Sequence, residues 1–308
     1  MLARKILRLL PFLLAIMPLA ALSIEPVGAQ PTSEISVSEL VKLVKLEDVL
    51  RHIKYFSNLG SRVAGYEGFY RAAEYIEKYW RDLGFDVKEE TFEVAVPVVK
   101  NASISVDIPG RGLTEYPAYP LWPNHANPCP YTSPLSGDRL VYAGEGKLDD
   151  FDRVNAEGAF VLLEFNNRWY WKYAVLFKAK GVIFIEPEDT SSVEALQKVL
   201  SVPVNFPRLL VSKSVGTELK ELLKAHGELR IWVNSQVEWE RREVANIVAV
   251  VQGANSHLRE EVAVVGAYYD SWSVTPQLSP GATDAIGISY LLEFSRLLRE
   301  HPPQRTVW

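Results

Sequence analysis

Two aspartates in the last quarter of the sequence stand where an α/β protein usually places its chemistry. Asp270 ends an apolar run, and Asp284 follows a Pro/Gly loop at the start of a predicted helix. In open α/β sheets, catalytic and metal-binding groups gather at the carboxyl ends of strands. Carboxylates there can bind metal ions or transfer protons. The alternative for Asp284 is an ordinary helix N-cap, a position that aspartate fills well.

The sequence around these acids resembles the co-catalytic zinc aminopeptidase family, whose relatives include glutamate carboxypeptidase and the non-enzymatic transferrin receptor. The stretch from Pro280 to Asp284 is similar to the family's Pro-Gly-Ala-x-Asp, and Tyr268-x-Asp270 stands at its His-x-Asp. The resemblance implies two zinc ions that share one activated water, with Asp284 as the bridging carboxylate. It also implies that Asp270 orients the metal-bound His, whose position is occupied here by Tyr268.

Tyr268 is the point at which the sequence departs from the family pattern. A phenol keeps its proton up to about pH 10 and is a poor zinc ligand. Either Tyr268 and Tyr269 pack at the end of a sheet, which we favour, or Tyr268 binds metal as a phenolate. The resemblance places the remaining ligands beyond Trp308, so we expect the chain to be truncated ahead of them.

The other ionisable residues show no metal-ligand spacing. After Asp284 the only acids are Glu293 and Glu300, and we expect Glu293 at the polar margin of a helix. The single cysteine, Cys129, predicts that there is no internal disulfide framework. Surface or loop positions are expected for four histidines: His52, His125, His226 and His257.

The N-terminal half must supply the helices and strands that carry this site. A capping box predicts a helix over 36–58, and the loop Gly60–Gly65 leads to a second helix that stops before Gly84. Alternating apolar residues predict a strand over 85–96 and a partner strand over 101–108. This order, with the Gly-Ser-Arg-x-x-Gly loop, also resembles the start of the aminopeptidase catalytic domain.

The middle of the chain reads as a separate α/β module. Between residues 138 and 237, short apolar runs alternate with helix signals. Their wording resembles the protease-associated domain, which is often inserted into aminopeptidases of this family; the alternative is any small α/β domain. Prolines clustered between residues 109 and 134 indicate a connector or a loop along a sheet edge.

The last segment returns to the first domain. Continuous apolar runs over 244–251 and 261–268 predict strands in a covered, central part of a sheet. An amphipathic helix is predicted over 284–299, and another strand begins at about residue 304.

The predicted fold is therefore a partial aminopeptidase-type α/β sheet domain with an inserted α/β protease-associated domain. Five segments follow from these patterns: a signal peptide at 1–29, the N-terminal part of the peptidase-like domain at 30–109, a proline-rich connector at 110–137, the protease-associated domain at 138–237, and the incomplete continuation of the peptidase-like domain at 238–308.

The N-terminus and the charge limit location and partners. Residues 1–29 combine a basic start, an apolar stretch and small residues before Gln30, as a secretory signal does. The alternative is an uncleaved anchor, so the protein is expected to be secreted or extracytoplasmic, and membrane-bound only through residues 1–29. A net charge of −5 without a Lys/Arg block makes nucleic acid an unsuitable partner.

Three functional hypotheses remain open on the sequence. The first is an exported zinc-dependent aminopeptidase that hydrolyses N-terminal peptide bonds, with a peptide as its substrate. The second is an inactive, transferrin-receptor-like protein that binds a protein ligand, because that branch shows that the fold survives loss of the metal site. The third is a fragment without function, whose exposed strand edges would favour aggregation.

Overall fold

The computed structural model describes residues 35–308, so the predicted signal peptide at 1–29 lies outside the described residues. Among the helices of that part, none has the length and apolar character needed to cross a bilayer.

Three helices open the described chain: α1 (Val37–Lys42), α2 (Leu46–Ser57) and α3 (Glu67–Asp82). The capping box at the start of α1 is confirmed, since Ser36 and Glu39 bond each other's backbone N–H groups. The prediction of a single helix over 36–58 is wrong, because the helix is interrupted between Lys42, where α1 ends, and Leu46, where α2 begins. There the backbone N–H of Lys45 leaves the helical pattern and donates to Glu293 at 2.7 Å.

The remaining elements follow in this order along the chain: β1 (Asp86–Ile108), β2 (Gly112–Pro117), β3 (Tyr119–Pro120), β4 (Tyr131–Thr132), β5 (Asp138–Tyr142), α4 (Leu148–Phe151), β6 (Ala159–Glu164), α5 (Lys172–Leu176), β7 (Gly181–Ile185), α6 (Ser192–Leu196), β8 (Arg208–Val211), α7 (Lys213–His226), β9 (Leu229–Val250), β10 (Val262–Ala263), α8 (Ala285–Glu300) and β11 (Thr306–Val307).

One mixed sheet runs through most of the described chain, in the order β2-β1-β9-β5-β6-β7-β8-β3, with β4 paired to β9. Strands β5 to β8 are parallel and β1 and β9 are antiparallel. Strands β6, β7 and β8 are buried on both faces, which explains why they read as unbroken apolar runs. The α/β class is confirmed by this arrangement.

The expected pairing of strands 85–96 and 101–108 with each other is wrong. Both lie in the single strand β1, which pairs with β9 along its length and with β2 over its last six residues. The interruption that the sequence indicated is a shift of register between Val99 and Asn101. A bulge of this kind adds a residue without ending the strand.

The last quarter of the chain differs from the prediction of two covered strands. The first run continues β9, but only Val262–Ala263 of the second forms a strand, and this pairs in parallel with β11. Val264 is 75% exposed and Val265 is 42% exposed, so this stretch is not covered by the described residues. The strand expected from about residue 304 is confirmed as β11.

The helices pack so that α8 reaches the site region. One apolar cluster joins α2, α3 and α8 and includes Phe56, Ile76 and Leu292. Two further clusters cover the two faces of the parallel strands. The start of α8 and the loop before it are therefore held against the N-terminal helices.

Candidate functional site

Asp284 lies immediately before α8, but it is not an ordinary N-cap. Its backbone is already helical (φ −65°, ψ −26°), and its side chain makes no capping hydrogen bond. Instead, its Oδ2 atom faces the backbone N–H of Trp272 at 3.4 Å. Asp284 therefore occupies the N-cap position of α8 without capping the helix through its side chain.

Asp270 lies on the same loop system and is within electrostatic reach of Asp284. Burial raises the pKa of the Asp270 carboxyl, and the charge of Asp284 raises it further, while Arg62 acts in the opposite direction. A carboxylate that is half-buried beside another acid tends to bind a cation or a proton. The structure thus brings together the two acids that the sequence singled out.

Tyr268 and Tyr269 behave differently, although both were expected to pack. Tyr269 stacks on Phe69 at 4.7 Å between ring centroids, and its hydroxyl donates to the carbonyl of Ala245 at 2.7 Å. Burial raises the pKa of Tyr269, so it stays a neutral phenol. The side chain of Tyr268 is 64% exposed, so the packing interpretation is wrong for this residue. Successive side chains of an extended segment point to opposite sides, and only one of the two sides is covered here.

The histidines do not join the acids. His52 was expected at the surface, but it is 1% exposed on α2 and its Nδ1 lies 2.7 Å from the hydroxyl of Tyr75. Burial lowers the pKa of its imidazole. The surface prediction is wrong for His52 because its position on α2 faces the ring of Tyr79 rather than solvent.

Within residues 35–308, no group of three or more His, Cys, Asp or Glu side chains is arranged to hold a metal ion. Carboxylate oxygens suit zinc, but a zinc ion takes three or four protein ligands. The described residues therefore do not form a complete zinc site, although both acids carry groups of a type that zinc binds.

An apolar groove of about 920 Å³ adjoins these residues. Tyr268 and Asp270 line it together with β9, and Val264, Val265 and Trp308 form part of its exposed rim. Beside Asp284, the indole of Trp272 lies 6.1 Å from that of Trp122, measured between ring centroids. The backbone N–H of Trp122 donates to the carbonyl of Val274, so the proline-rich segment contacts the site loop directly.

Arg62 is the residue of this site that the sequence patterns did not single out. Its side chain is fully buried and lies among the carbonyl groups of the loop that joins the two acids. The Gly60–Gly65 motif was a signal for it, but the motif by itself indicated only a turn.

Residues 246–308, which contain both acids, match the family model described as Peptidase family M28. Aminopeptidase YwaD of Bacillus subtilis (strain 168) is 26% identical over 293 residues, which cover 94% of this chain and 59% of that protein. Probable lipoprotein aminopeptidase LpqL of Mycobacterium tuberculosis is 23% identical over 269 residues, or 85% of this chain and 49% of that protein. The chain thus spans about half the length of these relatives.

Among solved structures, BSAP, a zinc aminopeptidase from Bacillus subtilis, aligns with a TM-score of 0.56 and 22% identity, over 86% of this chain and 60% of that one. The matches confirm the resemblance to the co-catalytic zinc aminopeptidases and the aminopeptidase-type α/β fold. The inserted protease-associated domain and the roles of Asp270, Asp284 and Tyr268 stay predictions.

Proposed function

We propose that this chain belongs to an exported, zinc-dependent aminopeptidase and contributes Asp270 and Asp284 to its metal site. One observation carries the proposal: inside the segment that matches the M28 family, the backbone N–H of Trp272, two residues after Asp270, donates to Oδ2 of Asp284 at 3.4 Å, and both acids are half-buried. In this role Asp284 would help to hold the zinc, and zinc bound there would supply the activated water that hydrolysis of an N-terminal peptide bond needs.

Tyr268 lies beside this site and lines the groove together with Asp270. Its exposure leaves its hydroxyl free to approach a ligand, and its position matches the family's His. We propose that Tyr268 faces the substrate groove rather than the metal, because it lines that groove and because His, Cys and carboxylate side chains are the usual zinc ligands.

The proposed location is extracytoplasmic. Residues 1–29 carry the features of a secretory signal, and one relative bears the name of a lipoprotein. We further propose that residues 138–237 form a protease-associated domain, joined by the connector at 110–137, that restricts access to peptide substrates. The contact between Trp122 and Trp272 supports this role, since it brings the connector to the edge of the acid pair.

The test uses the protein produced from the complete gene. We expect it to contain zinc and to release N-terminal residues from short peptides. Asp284→Asn should lower the zinc content of the protein and should lower kcat/KM by at least about 100-fold. Asp107→Asn, which changes an exposed strand residue far along β1, serves as the matched control and should leave both unchanged. Zinc-free wild-type protein without hydrolysis would refute the proposal and favour a protein that binds a protein ligand.

A further inference from the structure

Arg62 is a buried cation that joins two segments far apart in the sequence. Its side chain is 0% exposed. The guanidinium donates to four backbone carbonyls: those of Tyr269 at 3.1 Å, Phe56 at 2.9 Å, Gly281 at 3.0 Å, and Pro280. Three of these carbonyls lie in the loop 269–281, and the fourth ends helix α2. A planar group with five fixed donors suits such a set, and a lysine ammonium does not.

The backbone around Arg62 reinforces the same connection. The N–H of Arg62 donates to the carbonyl of Ser279, and its carbonyl accepts from the N–H of Ser271 at 3.0 Å. The Ser271 hydroxyl donates to the carbonyl of Ser279 at 2.7 Å, and the Ser61 hydroxyl donates to that of Pro276 at 2.6 Å. The loop 269–281 is therefore fastened along its whole length to the Gly60–Gly65 loop.

The positive charge of Arg62 is stabilised by the negative charges of Asp270 and Asp284, although Arg62 forms no ion pair with either acid among the described contacts. Burial lowers the pKa of the guanidinium, whereas Asp284 and Asp270 raise it, so all three groups share one electrostatic environment. Arg62 spends its hydrogen bonds on carbonyl groups, and neither carboxylate forms an ion pair with it among the contacts of the described residues. The oxygens of both acids thus stay available while their repulsion is reduced.

The fit around Arg62 is tight. Gly281 has φ +55°, and a Cβ placed there would lie 2.8 Å from Oδ2 of Asp284, 2.5 Å from Cβ of Ser271 and 3.2 Å from Nη2 of Arg62. The position of Asp284 is therefore set by the same contacts that fix the loop on Arg62.

We propose that Arg62 is a positioning residue, which holds the loop 269–281 so that Asp270 and Asp284 lie at one site before any metal binds. The proposal rests on the proposed function only in assuming that the two acids bind metal, since the contacts between Arg62 and the loop do not depend on that function. Arg62 acts through the two acids and does not touch substrate.

Hydrogen exchange of the metal-free chain tests the proposal directly. In Arg62→Gln, amides of the loop 269–281 should exchange at least about tenfold faster than in wild type, while those of β6 and β7 stay protected. Arg62→Lys keeps the charge but cannot reach four carbonyls, so we expect an intermediate rate.

Arg296→Gln is the matched control for lost stability. Arg296 is also a shielded arginine, which ties α8 to the carbonyl of Leu43 and to Glu293. It lies more than three turns along α8 from Asp284, about 18 Å by helix rise. We expect this variant to melt earlier than wild type with the loop 269–281 exchanging as in wild type. Equal acceleration of the loop in Arg62→Gln and Arg296→Gln would overturn the proposal.

Zinc binding by the protein from the complete gene gives the second measurement. Arg62→Gln should weaken zinc affinity about 10- to 100-fold, with partial recovery in Arg62→Lys, and Arg296→Gln should bind as wild type. If wild type binds no zinc, the proposed function fails and the exchange data alone decide the role of Arg62. If zinc binds equally well to Arg62→Gln and the loop exchanges slowly, the positioning role fails while the proposed function stands.

Discussion

Asp270 and Asp284 reach one site because single residues around them are small or hydrogen-bonded. Gly281 gives the loop a left-handed turn, the Ser271 hydroxyl bonds the carbonyl of Ser279 and the N–H of Arg62, and the Arg62 side chain supplies the positive charge. Each of these residues has a contact that a common substitute would break. The arrangement of the two acids is therefore sensitive to substitution of neighbouring residues that take no direct part in the proposed chemistry.

Gly281→Ala should destabilise the chain by more than the usual penalty for a positive φ. The alanine Cβ would meet Ser271 and Asp284 in addition to adopting a left-handed backbone conformation, and strained backbone alone costs about 1–3 kcal/mol. Urea unfolding at pH 7 measures the loss. Gly110→Ala is the control, because Gly110 has φ +79° and no atom within 4 Å of an added Cβ. A loss in Gly281→Ala no larger than in Gly110→Ala would contradict this account of the loop.

Helix α8 carries a carboxylate whose position depends on its neighbours. Glu293 was expected at the polar margin of this helix, but it is 1% exposed. It accepts the backbone N–H of Lys45 at 2.7 Å and is paired with Arg296 at 2.7 Å. Burial would raise the pKa of Glu293, and these bonds outweigh it, so the pKa lies below its ordinary value. Glu293 therefore anchors the helix at the α1–α2 break, together with Arg296, which donates to the carbonyl of Leu43.

Glu293→Gln should remove about 3 kcal/mol of stability at pH 7, since it leaves Arg296 without its buried partner. A carboxyl whose pKa is lower in the folded than in the unfolded chain adds stability above its ordinary pKa of 4.5, and this stability is lost as the pH falls through the lower, folded value. The difference between variant and wild type should therefore shrink as the pH falls below 4.5. Urea unfolding across that pH range measures it.

Glu300→Gln provides the control for the Glu293 variant. Glu300 bonds the same arginine at 2.7 Å, but its side chain is 49% exposed. An exposed pair of this kind contributes about 0–1 kcal/mol. Equal losses in Glu293→Gln and Glu300→Gln would show that burial does not set the strength of the Arg296 pair.

At the scale of the whole described region, residues 35–308, the parallel strands are covered on both faces, whereas an apolar face elsewhere is left uncovered. The uncovered face lies along the groove beside β9, where the following residues are exposed: Val264, Val265, Tyr268 and Trp308. Apolar groups gathered in this way bind other apolar surfaces. This face is where we expect the described part of the chain to associate.

Residues 35–308 should bind a fluorescent dye that reports exposed apolar surface, and should self-associate as the concentration rises. Val264→Lys places a charge on the centre of the face and should reduce both effects with little change in stability, because Val264 is 75% exposed. Leu135→Lys is the control, since Leu135 is fully exposed away from this groove. Dye binding that is equal in the two variants would locate the association elsewhere.

Local patterns were enough for much of the fold. Apolar runs predicted the buried strands β6, β7 and β8, and helical periodicity predicted the helices α3 and α7. In each of these elements, the apolar positions of the sequence are the positions that the fold buries. The two acids followed from their motif, since an apolar run followed by a Pro/Gly loop and a helix start is a local feature of the sequence. The α/β class and the resemblance to the zinc aminopeptidases therefore came from the amino-acid order alone.

Tertiary structure decided what depends on partners distant in the chain. Arg62 meets Ser271 across 209 residues, and Lys45 meets Glu293 across 248. No local pattern reports such contacts, so the positioning arginine and the buried glutamate were missed. The same applies to β1, whose continuity comes from its pairing with β9, and to Tyr268, whose exposure depends on what covers the groove. Sequence determined which residues could do the chemistry, and only the packing of distant segments determined how they are held, because burial and charge pairing are properties of neighbours in space.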